Sequence, residues 1–565
     1  MEELAPIVIG VVVIATTTML SRWLGIAGPL LLVAFGLVAS LFLPPFEIDP
    51  ELILVGVLPP LLYAAAVRLP AIEFRRDFVP ISGLAVVLVV GTALLLGWFF
   101  TLVIPGLGFA MAVALGAILS PTDAVATSII KRLGIAPRVV TMLEGESLLN
   151  DATSLVLLRS AVAAAAAGFS FWGTVGSFAW GVVAAVIVGA IVGYLALRLR
   201  ALIRAAAGST ALGFVVPFAA YLPTEHLGGS GLVAAVVAGI VMGQGAPRRL
   251  TPEQRVSDEL NWRTIETVLE GAVFLIMGLE LRALVSDNLE AHGGVGTALG
   301  LAAVALAIVL LVRAVYVSFI VAMQSRNQHP DKRERLSAFE ERLGSFEPER
   351  AHDPERAERV RERMSTRLAR AFNDLDYYQS SPLGWKHGTI IVWAGMRGVV
   401  TLAAAQTLPR DTPARELLIL VAFFVAVGSL LIQGLTVPWV IRMLRIPASV
   451  DDVARAGEAQ RLDAELRAAA VSVLHTPGLV GPEGAPFAPE TLHKAGLRLA
   501  DPPDDDDATT AARELVDLRF VVLDAMRARL IEVSHGGAYS SEALRHALAS
   551  LDAEQLSLQL RRDGA

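Results

Sequence analysis

The chain of 565 residues contains no cysteine, which excludes disulfides, thiolate metal sites and cysteine nucleophiles. Lysine is almost as scarce: Lys131, Lys332, Lys386 and Lys494 are all there are, and none sits inside a long apolar run. The heavy use of alanine and arginine points to a GC-rich bacterial coding sequence. Charged residues make up 18% of the chain against 54% hydrophobic ones, and the average hides a division, because the apolar residues gather before residue 325 and again between about 388 and 444. Runs of ~20 apolar residues match the ~30 Å of a bilayer's hydrocarbon core. The net charge of −7 decides little, since most of the charge lies outside those runs. The first run begins within five residues of the N-terminus, has no basic stretch before it and no small-residue cleavage site, and reads as a retained helix.

These patterns predict an all-α polytopic membrane protein of about thirteen transmembrane helices: 3–20, 24–43, 51–67, 78–104, 109–130, 138–166, 172–198, 209–224, 229–244, 262–283, 295–323, 387–408 and 416–441. Alternate loops differ in basic content. One side holds Arg22, Arg68, Arg75, Arg76, Lys131, Arg132, Arg138, Arg198, Arg200, Arg204, Arg248, Arg249, Arg255, Arg442 and Arg445; on the other only Arg410 and Arg415 stand out. The excess of positive charge predicts an outside N-terminus and a cytoplasmic C-terminus in the cell membrane.

Two spans carry breaks. Span five contains Ser120-Pro121-Thr122-Asp123 and span twelve contains Ala394-Gly395-Met396-Arg397-Gly398. Proline removes a ladder hydrogen bond and paired glycines weaken one. Seven spans apart, the two cross the membrane in opposite directions, the signature of an inverted repeat with two interrupted helices meeting near the midplane. Each break carries a charge, Asp123 in one and Arg397 in the other.

Span six is costlier still. Leu143-Glu144-Gly145-Glu146-Ser147-Leu148-Leu149-Asn150-Asp151 places three carboxylates in an apolar segment, at roughly 2.5–3.5 kcal/mol for an acid at the bilayer centre even on the lowest scale. Glu146, Ser147, Asn150 and Asp151 fan over one side of the helix. Asp151 carboxylate, Ser147 hydroxyl, Asn150 carbonyl and backbone carbonyls freed around Thr122 are hard oxygen ligands of the kind an alkali cation takes, with Asp123 adding a second carboxylate. The expected Na+ ligands are therefore Asp151 and Asp123. A desolvated carboxylate also binds protons, and one acid holds H+ or Na+ but not both. That competition, centred on Asp151, is itself an exchange mechanism needing no cofactor. Arg313 lies mid-span in Ile308–Val315 and needs a buried acid, for which Glu146 is the favoured partner. Arg397 is placed to offset carboxylate charge or to oppose helix ends. Glu266 and Glu270, early in span ten, fit either an acidic funnel for cations or a solvated helix end. Glu280 and Arg282 read as an interface pair, Glu144 as a partner for a basic residue at the cytoplasmic mouth, and Arg159 has no assigned partner.

With these residues assembled, about residues 5–445 resemble the NhaP and NHE type of sodium/proton exchanger, within the monovalent cation:proton antiporters. The resemblance rests on Gly145-Glu146-Ser147-Leu148-Leu149-Asn150-Asp151, Thr122-Asp123, Arg313 and Gly395-Met396-Arg397-Gly398. It implies cation binding by Asp151 with Ser147 and the Thr122-Asp123 break, and a structural ion pair between Glu146 and Arg313. It also implies homodimers whose core domain moves like an elevator against a dimerisation domain. Asn150-Asp151 is similar to the electroneutral subgroup, one cation for one proton; electrogenic relatives carry two aspartates there and a lysine where Arg313 stands. One departure is Ala124, where many relatives have proline; here the proline is Pro121.

The chain divides into a transmembrane exchanger domain, 1–445, with a charged cytoplasmic insertion at 324–384, and a helical cytoplasmic tail, 446–565. Residues 324–380 hold twelve basic and twelve acidic side chains, a neutral balance that argues for solvated helix with local ion pairs and against nucleic acid as a partner. The tail shows helical patterns near 451–474, 508–534 and 540–562, split by a Pro/Gly-rich stretch (476–490) and the run Asp501-Pro502-Pro503-Asp504-Asp505-Asp506-Asp507, which reads as a flexible acidic linker. It has no nucleotide-binding glycine motif and reads as a small regulatory bundle. The expected activity is Na+ or Li+ exchange for H+ in pH homeostasis, with lipid as surroundings. A K+/H+ antiporter uses the same ligand types. A sodium-coupled solute symporter would need an aromatic-rich pocket near the breaks, and an intramembrane aspartyl protease would need a Gly-x-Gly-Asp context that Leu149-Asn150-Asp151 does not supply.

Overall fold

The computed structural model describes residues 4–43, 49–123, 125–167, 171–290, 294–326, 331–344, 354–445, 451–476, 478–480, 485–492 and 510–563. Ala124 and the run Asp501–Asp507 lie outside them, as do parts of the Pro/Gly-rich stretch. Among the described residues the chain is helical, with a single isolated β-bridge between Val480 and Pro486. Two compact units form. The first comprises Met1–Ala246, Asp258–Asn327 and Pro382–Ser449; the second comprises Pro247–Ser257, Gln328–Ser381 and Val450–Ala565.

The first unit contains α1 (Leu4–Leu24), α2 (Gly28–Ser40), α3 (Leu52–Arg68), the short α4 (Ala71–Arg76), α5 (Phe78–Val103), α6 (Phe109–Ile118), α7 (Val125–Arg132), α8 (Pro137–Ala167), α9 (Phe171–Leu202), α10 (Ala206–His226) and most of α11 (Gly231–Arg249) and α12 (Pro252–Leu279). There follow α13 (Leu281–Glu290), α14 (Val295–Arg326), the later α17 (Trp385–Trp393), α18 (Val399–Gln406) and α19 (Arg415–Met443). Among the described residues, seven helices are long and apolar enough to cross a membrane: α5, α8, α9 (from Val175), α10, α11, α14 (to Gln324) and α19. α19 is the most enclosed of these, whereas α9 and α14 present most of their surface outward, as helices facing lipid do.

Close backbone approach, ion pairs and helix packing together sort these helices into two groups, α10 falling in the first and α18 and α19 in the second. Without a hydrophobic force between helices in lipid, small residues that let backbones touch are what hold them. In the first group Gly36 of α2 meets Gly278 of α12, Gly271 of α12 receives Ile14 of α1, Gly189 and Gly193 of α9 meet Ala234 and Ala238 of α11, and Gly239 and Gly243 of α11 meet Tyr63 and Val67 of α3. In the second, Gly97 and Gly116 join α5 to α6, Gly145 of α8 receives Ile81 and Phe74, and Gly388 of α17 receives Val317 and Val321 of α14.

Buried ion pairs reinforce each group. Arg138 of α8 donates to Asp77 at 2.7 and 2.9 Å and to Gln324 of α14 at 3.0 Å. Arg200 of α9, fully buried, donates to Asp258 of α12 and, at 3.1 Å, to Ser209; Thr210 of α10 donates to Asp258 at 2.9 Å. Sequence reading treats Arg138 and Arg200 as loop charges. Both are structural cations within helix packing. Polar links between the groups include Arg159 of α8 to Glu225 of α10 at 2.6 Å and Gln406 of α18 to Glu280 at 3.0 Å. The Arg282 guanidinium donates to the Leu43 carbonyl at 2.9 Å.

The second unit holds α15 (Asp331–Gly344), α16 (Pro354–Ser380), α20 (Asp451–Leu474), α21 (Thr510–Gly536) and α22 (Ser541–Asp563), together with the segment Pro247–Ser257. Insertion, tail and a short interhelical segment are thus one body. Leu462, Leu466 and Ala470 of α20, Leu518, Val522 and Leu523 of α21, and Leu544, Leu551 and Leu558 of α22 are buried, as the 3.6-residue apolar spacing of a bundle requires. Arg519 pairs with Glu554, and Glu465 receives both Arg529 and, at 2.7 Å, the Tyr539 hydroxyl. Burial and the neighbouring Glu465 push the Tyr539 phenol up to about 12.

Candidate functional site

Four helix ends come together at the site. α6 ends at Ile118 and α7 begins at Val125; α17 ends at Trp393 and α18 begins at Val399. The Asp123 N–H donates to the Met396 carbonyl at 2.7 Å, which stitches one non-helical stretch to the other. A Cβ on Gly398 would overlap the Asp123 carboxylate, so glycine is what lets that acid approach the second break.

A helix leaves carbonyls unpaired at its C-terminal end and N–H groups at its N-terminal end, with partial charges to match. Three of these four ends have a counter-charge. Asp123 Oδ1 accepts the Val125 N–H at 2.9 Å, an acid at the positive end of α7. Arg397 donates through Nε to the Leu119 carbonyl at 3.1 Å and through Nη1 to the Gly395 carbonyl, a cation against the negative ends of α6 and α17. Its own N–H is held by Ser429 of α19 at 2.8 Å. Of the two roles open to Arg397 from sequence, opposing helix ends is the one its hydrogen bonds perform.

The acids of α8 divide by partner. Glu144 pairs with Lys131 at 3.4 Å on an exposed face. Glu146 receives both terminal nitrogens of Arg313, Nη2 to Oε2 at 2.8 Å, while Arg313 Nε donates to the Ile391 carbonyl at 2.9 Å; each residue is 1% exposed. Gly395 makes room, since a Cβ there would strike the Arg313 guanidinium. The fork geometry satisfies a buried guanidinium in the way a lysine could not.

Asn150 Nδ2 donates to Thr122 Oγ1 at 2.7 Å, and Thr122 in turn donates to Glu146 at 3.3 Å. These contacts bring span six onto the first break. They also leave Asn150 Oδ1 buried with no partner, an expensive state for an amide oxygen unless something binds it. Asp151 and Ser147 are buried one turn apart on the same helix, and Asp123 is half-buried. Asp151 lies in the field of Asp123, a like charge. Asp151, Asp123, Ser147 and Asn150 Oδ1 are hard oxygens, the type a monovalent cation takes. Among the described residues no group of three His, Asp or Glu side chains could hold a resident metal ion.

Further out, Arg68 of α3 pairs with Glu266 of α12, and Glu270, one turn on, sits in the fields of Asp123, Glu266, Arg68 and Arg132. Sequence reasoning did not reach Ser429 or the Met396 carbonyl. Neither is visible without the fold, because a lone serine in an apolar helix carries no signal.

An all-helical, multi-pass membrane fold with buried acids beside helix ends belongs here to a secondary transporter, not an enzyme. The chain belongs to the sodium/hydrogen exchanger family: the model of the exchanger's transmembrane region matches residues 9–346 and 363–443. It is 28% identical to an uncharacterized Na(+)/H(+) exchanger of Mycobacterium tuberculosis over 98% of this chain and 96% of that one. The uncharacterized Na(+)/H(+) exchanger YjcE of Escherichia coli is 38% identical over 52% of this chain and 55% of its own. A Bacillus subtilis sodium, potassium, lithium and rubidium/H(+) antiporter is 32% identical over 48% of this chain and 43% of its own. The fold is shared with the sodium proton antiporter MjNhaP1 of Methanocaldococcus jannaschii, at a TM-score of 0.55 and 14% identity over 79% of this chain and all of that one. The chain carries out monovalent cation/proton exchange.

Proposed function

We propose that the protein exchanges Na+, or Li+, for H+ in a ratio of one to one, and that the two ions compete for Asp151. The observation that carries this reading is the distribution of charge. Glu144 has Lys131 and Glu146 has Arg313. Asp123 sits at a positive helix end and Arg397 at two negative ones. Asp151, buried, lies in the field of Asp123, a like charge, and enters no salt bridge among the described residues. A buried carboxylate without a counter-charge must take up a proton or a cation, and one uncompensated charge takes one of either. Exchange is then electroneutral, with no cofactor.

In this reading thirteen spans cross the membrane, the N-terminus lies outside and the tail inside, and the α6/α7 and α17/α18 pairs are the broken crossing helices of an inverted repeat. The second helix group carries the ions past the first, the chain works as a homodimer, and the exchange serves pH homeostasis. Potassium is a second candidate, favoured by the ion range named for the Bacillus subtilis relative. Reconstituted protein assayed with Na+, Li+ and K+ gradients, with and without a clamped potential, tests the reading. Proton movement that follows the cation gradient and ignores the potential supports it. Potential-driven movement, or none with any cation, overturns it.

A further inference from the structure

α19 is the most enclosed of the apolar helices, yet Ser429, Gln433 and Thr436 place polar side chains along it. Their spacing of four and then three residues sets them in line on one face. Two of them meet the end of α17 and the non-helical stretch that follows it. Ser429 accepts the Arg397 N–H at 2.8 Å, and Thr436 accepts the Trp393 Nε1–H at 2.8 Å. Gln433 lies between the two, about one turn from each, and so belongs to the face that meets residues 393–397.

Gln433 is fully buried, and neither its Oε1 nor its Nε2 has a hydrogen-bond partner among the described residues. An enclosed amide without partners costs free energy that an apolar side chain of the same volume avoids. Packing therefore gives no reason for glutamine here. The ladder of α19 is open at the same level, because Pro438 has no N–H to offer the Gly434 carbonyl. Across from it, residues 394–398 are held by a few single bonds: the Met396 carbonyl to the Asp123 N–H, the Arg397 N–H to Ser429, and the Gly395 carbonyl to the Arg397 side chain. No helical ladder resists a change of path in that stretch.

We propose that Gln433 is a positioning residue for exchange, whose amide bonds the backbone of residues 394–398 while the ion passes from one side to the other. The proposal rests on the exchange reading above, since it needs a site with more than one arrangement. A group that is bonded in one arrangement and not in another biases their balance by that difference. Bonds made only on the way across raise the maximal rate and leave the affinity of the resting site for its cation nearly unchanged.

Gln433→Met removes the amide at nearly constant volume, Gln433→Leu is the second variant, and Ile432→Met, on the outward face of the same helix, is the control. Each is purified, its unfolding is followed in detergent, and its Na+/H+ exchange is measured in proteoliposomes over a range of Na+. The two Gln433 variants are expected to unfold at or above the parent's temperature, to exchange about tenfold more slowly at saturating Na+, and to reach half-rate within about twofold of the parent's Na+ concentration. The control matches the parent in all three. Exchange at the parent's rate in both Gln433 variants overturns the assignment and leaves the exchange reading intact. A raised half-saturating Na+ at unchanged maximal rate overturns it too, since the amide would then act on the resting cation site. Loss of stability in step with rate, or failure of both variants to fold, makes Gln433 a packing group and overturns it as well. A parent protein that exchanges no cation for protons sinks both readings.

Discussion

Removing Glu146 leaves Arg313 enclosed with the Ile391 carbonyl as its remaining acceptor. Two charge-assisted hydrogen bonds go, each worth roughly 1.5–3 kcal/mol, and a guanidinium that stays ionised is left uncompensated. Breaking a buried pair from one side costs roughly 3–5 kcal/mol by direct comparison, and the two routes agree. Glu146→Ala is therefore expected to lower stability by about 4 kcal/mol, and Arg313→Ala by a similar amount. The double variant removes both charges and recovers part of the loss, with a coupling of about 2 kcal/mol or more. The assay is unfolding of purified protein in detergent, followed by loss of the monodisperse peak with temperature or denaturant, for all four members of the cycle. Strict additivity, or single variants within about 1 kcal/mol of the parent, would refute the argument that this pair holds α8 to α14.

Three further outcomes follow from the geometry. Gly398→Ala places a Cβ on the Asp123 carboxylate and is expected to cut exchange by at least about tenfold, roughly 1.4 kcal/mol in the barrier; Gly428→Ala, on α19 with open space around it, is the control and keeps its rate in the same vesicle assay. Asn150→Asp keeps transport alive, since the Thr122 hydroxyl can turn to donate to the new carboxylate while Glu146 keeps Arg313; a transport-dead variant would mean that the amide itself is required. The Tyr539 phenol, raised to about 12 in the folded protein against an unfolded value of about 10, contributes stability that is fully present below pH 10 and is lost as pH rises through 12. Tyrosinate absorbance of the parent minus Tyr539→Phe should show that late transition, and a difference titrating near pH 10 would contradict it.

The contrast between what could and could not be read from the chain is a physical one. Arg313 announced its need for an acid because a guanidinium in the middle of an apolar helix has no other stable state, and the helical period put Glu146 on the polar stripe. The proline and glycines of 120–123 and 394–398 lie where described helices end. By contrast Arg138 and Arg200 stand at helix ends, where sequence gives a charge no reason to be buried, and their acids, Asp77 and Asp258, lie far away in the chain. Arg397 is legible as a charge in a break, but only the meeting of two helix ends shows that it faces carbonyls. The joining of 247–257, 328–381 and 450–565 into one body rests on contacts between distant segments, which no local pattern encodes.

The most direct test sets Asp151→Asn beside the parent protein in proteoliposomes, with an imposed Na+ gradient, a clamped potential and internal pH as the readout. The account predicts Na+-driven proton movement in the parent and none in the variant, with the two proteins eluting as equally folded material. A variant that exchanges at the parent's rate would contradict it.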